Sequence, residues 1–331
     1  MNDRPAPLRI GILGASRIAE SAIVGPAEEL GHRLVAVAAR DRGRATAFAD
    51  KYGVERVLDS YADIVADPEV DVVYNPLANS LHAPWNLAAI RAGKPVLTEK
   101  PFSRNVTEAL EVRDAAAAAD VPVLEAFHYL FHPLVARTSE LLAAGTIGAI
   151  RNIDVVMDMP TPGPDDPRWS YELAGGSVMD LGCYGLHVFR TLGRFCGGAP
   201  EIGYASAVLR GIDVDESSVI DVTYPGGATG HNTNSMVGTE FEFTVRIVGD
   251  GGELFLHDFL APGKDDRLSI TRSDGSVVVE HLGTRSTYTY QLEAFAAAVQ
   301  TGAVLPIGLD DAVENMRYID AAYLAAGLPP R

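Results

Sequence analysis

Lys100 is the residue whose type and position carry the most chemistry in this chain. It follows the apolar run Pro95-Val96-Leu97-Thr98 and stands between Glu99 and Pro101. A lysine at the carboxyl end of a strand in an open α/β sheet points into the crevice where such sheets bind ligands. The glutamate before it can hold the ammonium, and the proline after it ends the strand rigidly. The tripeptide alone reads more readily as a surface salt bridge beside a turn.

A second cluster lies far upstream. Gly14-Ala15-Ser16-Arg17-Ile18-Ala19 follows the apolar run Leu8–Leu13, which contains Gly11, and opens a helical pattern. That is the place of a G-x-G-x-x-G/A dinucleotide fingerprint, which needs a tight turn, close backbone approach to pyrophosphate and close helix–strand packing. Gly14 serves the first need and Ala19 the third. Ser16 replaces the second glycine; its side chain is small, and its hydroxyl can donate to phosphate. The same residues also read as an ordinary βα turn. At the end of the next apolar run the chain reads Ala39-Arg40-Asp41-Arg42. An acidic residue at that tip would accept from a ribose 2′-OH, whereas the guanidinium of Arg40 can stack on adenine and bind a 2′-phosphate. Arg40 therefore points to NADP, with NAD possible. Asp41, one position later, can take the acidic role or cap the following helix.

The elements that would position these residues alternate. Strand patterns at 8–13, 33–39, 70–74, 95–98 and 121–124 are separated by helix patterns at 16–30, 42–52, 81–92 and 106–119. Gly93 stops one helix, and Asn105-Val106-Thr107-Glu108 looks like a capping box for the next. Such alternation predicts a doubly wound parallel sheet of Rossmann type over residues 1–124. From 125 the pattern changes. A helix is expected at 132–144, a strand at 150–157, a proline-rich loop at 160–167 and a helix at 177–192. Strand-like runs follow from 202 to 282, then helices at 290–301 and 310–326. Residues 125–331 are expected to form an α+β domain on an open, meandering, mainly antiparallel sheet.

The chain has 331 residues, 47% hydrophobic and 21% charged, enough for two cores. With 27 Lys plus Arg against 44 Asp plus Glu, its net charge of −17 argues against nucleic acid or an anionic membrane as partner. The two cysteines, Cys183 and Cys196, form no disulfide framework. The N-terminal residues lack an apolar signal core, and the apolar runs are strand-sized. A cytoplasmic location is expected.

Further blocks extend the pattern: Asn75-Pro76-Leu77-Ala78-Asn79-Ser80-Leu81-His82, Glu125-Ala126-Phe127-His128-Tyr129-Leu130-Phe131-His132-Pro133 and Gly175-Gly176-Ser177-Val178-Met179-Asp180-Leu181-Gly182-Cys183-Tyr184. With the turn at 11–19 and the stretch from Ala92 to Pro101, they resemble in order the glucose–fructose oxidoreductase / inositol dehydrogenase / MocA (Gfo/Idh/MocA) family. The resemblance spans most of residues 8–190. It implies an oxidoreductase that uses NAD(P) and no metal, acts on a hydroxyl or keto group of a sugar, cyclitol or vicinal diol, and forms a homodimer or homotetramer through the second sheet.

The resemblance also implies site residues. Lys100 is the active-site lysine, and Asp180 helps place substrate. The next position of interest is His or Tyr in the family; here it is Tyr184, as in the sugar oxidoreductase and dihydrodiol dehydrogenase branches. Asp180 and Tyr184 lie one helical turn apart and can face one cleft, which would lie between the two domains. A nearby ammonium lowers a tyrosine's proton affinity, which suits Tyr184 as general acid/base with Lys100 as electrostatic partner. A core tyrosine with a satisfied hydroxyl is the competing reading. The cofactor set comprises Gly11, Gly14, Ser16, Arg17, Ile18, Arg40, Asn75, Pro76, Leu77, Asn79, His82, Glu99 and Lys100. His128, Arg168 and Trp169 are expected on the substrate side. His82 can instead be an ordinary first residue of a helix, and Arg168 and Trp169 part of a surface loop. His187 can line the cleft or sit satisfied in the core. The i, i+4 spacing of His128 and His132 permits a metal, but no Glu lies between them and Pro133 follows; no metal is expected. The family often has Arg where Leu130 stands, so an anionic contact there is in doubt. The alternative from another class is a catalytically silent NADP-binding sensor or scaffold of the same fold. His231, Asn232 and Asn234 fall on an expected strand and read equally as substrate-facing or as interface residues.

Overall fold

The structure is a computed structural model and describes residues 6–211 and 213–331. It divides into two compact units, Met1–Phe127 with Tyr288–Val313 and His128–Thr287 with Glu314–Arg331.

The first unit is built on β1 (Arg9–Leu13), β2 (Arg33–Ala38), β3 (Val72–Asn75), β4 (Val96–Thr98) and β5 (Val123–Glu125). All pairings are parallel, in the order β2-β1-β3-β4-β5. Val57 adds one parallel bridge to Val37 of β2. The strands are apolar along their length because they are buried on both faces. The connecting helices are α1 (Gly25–Leu30), α2 (Arg42–Tyr52), α3 (Tyr61–Ala66), α4 (His82–Arg91) and α5 (Val106–Ala119). The strand order reverses between β1 and β3, so their carboxyl ends, at Gly14 and Asn75, flank the switch point where such sheets take ligands.

Two helical details differ from the sequence expectation. The helix expected from Ser16 starts later, as a π-helical turn Glu20–Val24 that leads into α1. Pro26 lies at the start of α1, where its missing N–H costs no bond. The short α3 was not expected; Ser60 caps it, accepting from the Asp63 N–H at 3.2 Å.

The second unit holds α6 (Pro133–Ala143), β6 (Ile150–Pro160), α7 (Cys183–Leu192), β7 (Glu201–Arg210), β8 (Val214–Thr223), β9 (Thr229–Gly238), β10 (Glu242–Gly249), β11 (Gly252–Leu256), β12 (Arg267–Arg272) and β13 (Val277–His281). The eight strands run β13-β12-β11-β10-β6-β9-β8-β7. The sheet is antiparallel except where β6 pairs parallel with β9. The expected meander is thus split by β6, whose inward residues Ile153, Val155 and Met157 are fully buried and make it a central strand. The helix expected over 177–192 is a π-helical turn, Val178–Gly182, continued by α7. Gly185 lets α7 settle on β9, because a Cβ there would meet Asn232 Cγ at 2.4 Å. Asn232 and Asn234 are therefore buried beneath α7, while His231 faces the opposite side, 2.6 Å from Asp221. The chain ends with α8 (Thr287–Thr301) and α9 (Leu309–Ala325).

The sequence boundary at 124/125 lies close to the first division at Phe127, but α8 from Tyr288 onward belongs to the first unit. A boundary read from one change of pattern cannot register that return. Among the described residues no helix is long and apolar enough to cross a membrane.

Candidate active site

In the first unit, Gly14 makes the turn after β1 with φ of +92°, which favours glycine, and its N–H donates to Ala38 O at 2.7 Å. A Cβ on Gly14 would stand 3.0 Å from Leu77 Cδ2, so the residue after β3 packs on this turn. Gly11 has a different task. A Cβ there would lie 2.7 Å from Ile64 and 2.9 Å from Val70, so its absence lets α3 close on β1. The Ser16 hydroxyl is buried and has no hydrogen-bond partner among the described residues. A buried hydroxyl is rarely left unsatisfied, and a phosphate oxygen would complete it. The turn therefore fits a dinucleotide. Arg17 and Ile18 are exposed beside it.

Arg40 is exposed at the tip of β2. The two readings of Asp41 resolve: its carboxylate caps α2, accepting from Arg44 N at 2.9 Å. Arg44 in turn donates to Ala15 O at 3.0 Å, tying α2 to the glycine turn.

Asn75 ends β3 and is fully buried. Its Nδ2 donates to Asn86 Oδ1 at 2.8 Å and to His82 O at 3.2 Å, which fastens the strand end to α4. Pro76 and Leu77 follow, and Asn79 starts a 3-10 turn that leads into α4. His82 is fully buried, with Nδ1 2.7 Å from Pro101 O and Nε2 2.9 Å from Leu77 O. Its ring lies between the segment after β3 and the segment after β4, and in the neutral form its single N–H donates to one of these two carbonyls. Burial pushes its pKa down to about 4, against the pull of the two carbonyls, with the Lys100 ammonium pushing the same way as burial. His82 is the first residue of α4 and is fully buried there. Glu99 is buried and accepts from Tyr74 Oη at 2.9 Å, and Lys100 next to it is half-buried.

In the second unit, Asp180 lies in the π-helical turn and accepts from Arg168 Nε at 2.7 Å; Arg168 Nη1 reaches both oxygens of Asp166 at 3.2 Å. Trp169 follows, half-buried, under the Arg210 guanidinium at 4.4 Å. Tyr184, on α7, is 4% exposed, and its hydroxyl lies 3.1 Å from His128 Nε2. His128 Nδ1 lies 2.8 Å from Thr287 Oγ1. His187 pairs with a different phenol, Tyr129 Oη, at 2.7 Å. His132 caps α6, its Nδ1 accepting from Leu134 N at 3.1 Å. The two histidines at i, i+4 thus serve different partners, on a 3-10 turn and a helix cap rather than along one helix.

Asp215 is functional support that the sequence did not single out. Fully buried on β8, it accepts from Ser177 Oγ at 2.8 Å and Val178 N at 2.7 Å, where the turn bearing Asp180 begins. It also accepts from Tyr323 Oη and is paired with Arg331, whose Nε donates to Gly175 O at 3.0 Å. Gly176, with φ of +124°, is required beside it, since a Cβ would fall 2.0 Å from Asp215 Oδ1.

A parallel sheet with a glycine turn at its switch point, in one chain with a mainly antiparallel eight-stranded sheet, fits a dinucleotide-binding protein with a second α+β unit. The chain belongs to the Gfo/Idh/MocA family. Residues 8–127 match that family's NAD-binding Rossmann-fold oxidoreductase domain, and residues 135–255 match its C-terminal domain. It is 35% identical over 324 residues to the D-xylose 1-dehydrogenase (NADP(+)) 2 of Haloferax volcanii, covering 96% of this chain and 97% of that one. It is 32% identical over 259 residues to mouse trans-1,2-dihydrobenzene-1,2-diol dehydrogenase, covering 77% and 76%. Its structure is similar to that of a 3-ketoreductase from Actinomadura kijaniata in complex with NADP and TDP-benzene. There the TM-score is 0.88 at 27% identity, covering 97% of this chain and 98% of that one. The protein is an NAD(P)-dependent oxidoreductase.

Proposed function

We propose that this enzyme prefers NADP and acts on a hydroxyl-bearing or keto carbon of a sugar, cyclitol or vicinal diol, with Lys100 and Tyr184 at the reacting oxygen. Nicotinamide, when bound, gives or takes the hydride. Tyr184 gives its hydroxyl proton to the carbonyl oxygen in reduction and takes the proton back in oxidation. The Lys100 ammonium stabilises negative charge developing on that oxygen. Asp180, steadied by Arg168 with Trp169 beside it, holds a substrate hydroxyl, and His128 borders the substrate through Tyr184. Ser16 and Arg17 hold phosphate oxygens at the Gly14 turn, and Arg40 takes the 2′-phosphate. The segment from Asn75 to His82 borders the nicotinamide end.

The observation that carries the reading is the hydrogen bond between the Tyr184 hydroxyl and a ring nitrogen of buried His128, at 3.1 Å. A buried phenol needs a partner for its hydroxyl, and an imidazole is one that can also exchange the proton. The relatives named for D-xylose and for a dihydrodiol support the substrate class. The test is a fluorescence titration with NADPH, followed by turnover assays on D-xylose and other aldoses, cyclitols, vicinal diols and keto-sugars. Binding and turnover on part of that panel are expected, with turnover strongly reduced in Tyr184→Phe. Tight binding with no turnover on any member would favour the sensor reading instead.

A further inference from the structure

We propose that His128 is a positioning residue that holds the proton exchanged at the Tyr184 hydroxyl, with Thr287 fixing its tautomer. The inference rests on Tyr184 being the acid/base group, and it adds where that group's proton goes.

Three buried side chains form a line. Tyr184 Oη lies 3.1 Å from His128 Nε2, and His128 Nδ1 lies 2.8 Å from Thr287 Oγ1. His128 and Thr287 are 2% and 3% exposed. The Thr287 hydroxyl can donate to Leu260 O, 3.4 Å away, which leaves its lone pairs for the imidazole. Nδ1 must then carry the N–H. Nε2 keeps its lone pair and accepts from the Tyr184 hydroxyl.

A second phenol–imidazole pair lies beside this one. Tyr129 lies 6.1 Å from Tyr184, ring to ring, and its hydroxyl is paired with His187 Nδ1 at 2.7 Å. His187 therefore serves Tyr129, and His128 serves Tyr184.

The proton balance follows. In oxidation, Tyr184 passes its hydroxyl proton to His128 Nε2 and takes the proton of the substrate hydroxyl. The electron pair of the substrate C–H bond leaves as hydride to nicotinamide. The products are the carbonyl compound, the reduced cofactor and an imidazolium at His128, whose extra proton is the one the overall reaction releases. In reduction the imidazolium returns a proton to the phenolate as the phenol protonates the new alkoxide. The imidazole lets the phenol act without exchanging its proton directly with bulk water.

The test combines a readout without cofactor and one with it. Histidine labelled at Cε1 is titrated by NMR in the unliganded protein, and the His128 signal is assigned by its loss in His128→Gln. Tyr184→Phe should move the His128 midpoint by about half a pH unit or more and leave His187 unmoved. With the best substrate of the panel, His128→Gln should lower kcat for oxidation at pH 7 by about 10²-fold and abolish the acid limb of the kcat profile. The double variant Tyr184→Phe/His128→Gln should be no slower than Tyr184→Phe. Thr287→Val, which removes the tautomer's acceptor, should shift the His128 titration and lower kcat even where His128→Gln fails to fold. A His128 titration indifferent to Tyr184→Phe, or losses that multiply in the double variant, overturns the inference while leaving Tyr184 as acid/base. Full turnover in Tyr184→Phe overturns the Tyr184 reading, and the inference with it.

Discussion

Asp180 and Arg168 form an ion pair in the second unit: Arg168 Nε donates to Asp180 Oδ2 at 2.7 Å, while Nη1 of the same guanidinium spans both oxygens of Asp166. One planar fork thus joins the turn bearing Asp180 to the loop before it. A lysine has the charge but not the fork, and cannot hold both carboxylates in this geometry. Arg168→Lys is expected to lower kcat/KM by about tenfold, mostly through KM, as hydrogen bonds to charged groups of this kind are worth about 1.5–3 kcal/mol. Steady-state kinetics on the best substrate measure it, and an unchanged KM would separate Asp180 from substrate placement.

Lys100 is half-buried directly after Glu99, at the end of the segment that follows β4. If its ammonium stabilises charge on the reacting oxygen, removing it harms the transition state and not cofactor binding. Lys100→Ala should lower kcat by about 10²–10³-fold while the dissociation constant for NADPH stays within about threefold. A loss of NADPH affinity that accounts for the whole loss of activity would make Lys100 a cofactor ligand instead.

Arg40 stands exposed at the end of β2, and Asp41 is committed to capping α2. The acidic residue that would hold a free ribose 2′-OH is therefore engaged elsewhere, which leaves the guanidinium for a 2′-phosphate. Arg40→Ala should raise KM for NADP by about tenfold or more and leave KM for NAD nearly unchanged. Equal effects on the two cofactors would remove the basis for NADP preference.

The legible part of this molecule is the part in which function is local in sequence. The turn at Gly14, the cap at Asp41 and the helix start at Asn105, whose side chain accepts from Glu108 N, each depend on residues a few positions apart. The less legible part depends on distant partners. Asp215 holds the start of the turn bearing Asp180 from another strand, and Thr287 reaches His128 from the start of α8. No spacing rule links such pairs. The sidedness of β9 was equally hidden, because Asn232 and Asn234 become inward residues only once Gly185 has let α7 settle on them. Gly11, read as part of a phosphate turn, packs against α3, a helix too short for its periodicity to stand out.

His82 makes a prediction about acid stability. Burial holds its folded pKa at about 4, below the ordinary 6.5. Above pH 6.5 the ring is neutral in both folded and unfolded chains and no penalty arises. Between pH 6.5 and 4 the unfolded chain binds a proton that the folded protein does not, so stability falls as pH falls through this window and levels off below it. From pH 7 to pH 5 the loss from this one group is about 2 kcal/mol. His82→Gln keeps an N–H donor for one of the two carbonyls and cannot titrate. It should lose about 2 kcal/mol less than the parent on going from pH 7 to pH 5. Urea unfolding of both proteins at the two pH values measures the difference. Parallel losses would mean that acid sensitivity comes from the carboxylates, and that His82 takes up its proton in the folded protein as it does in the unfolded chain.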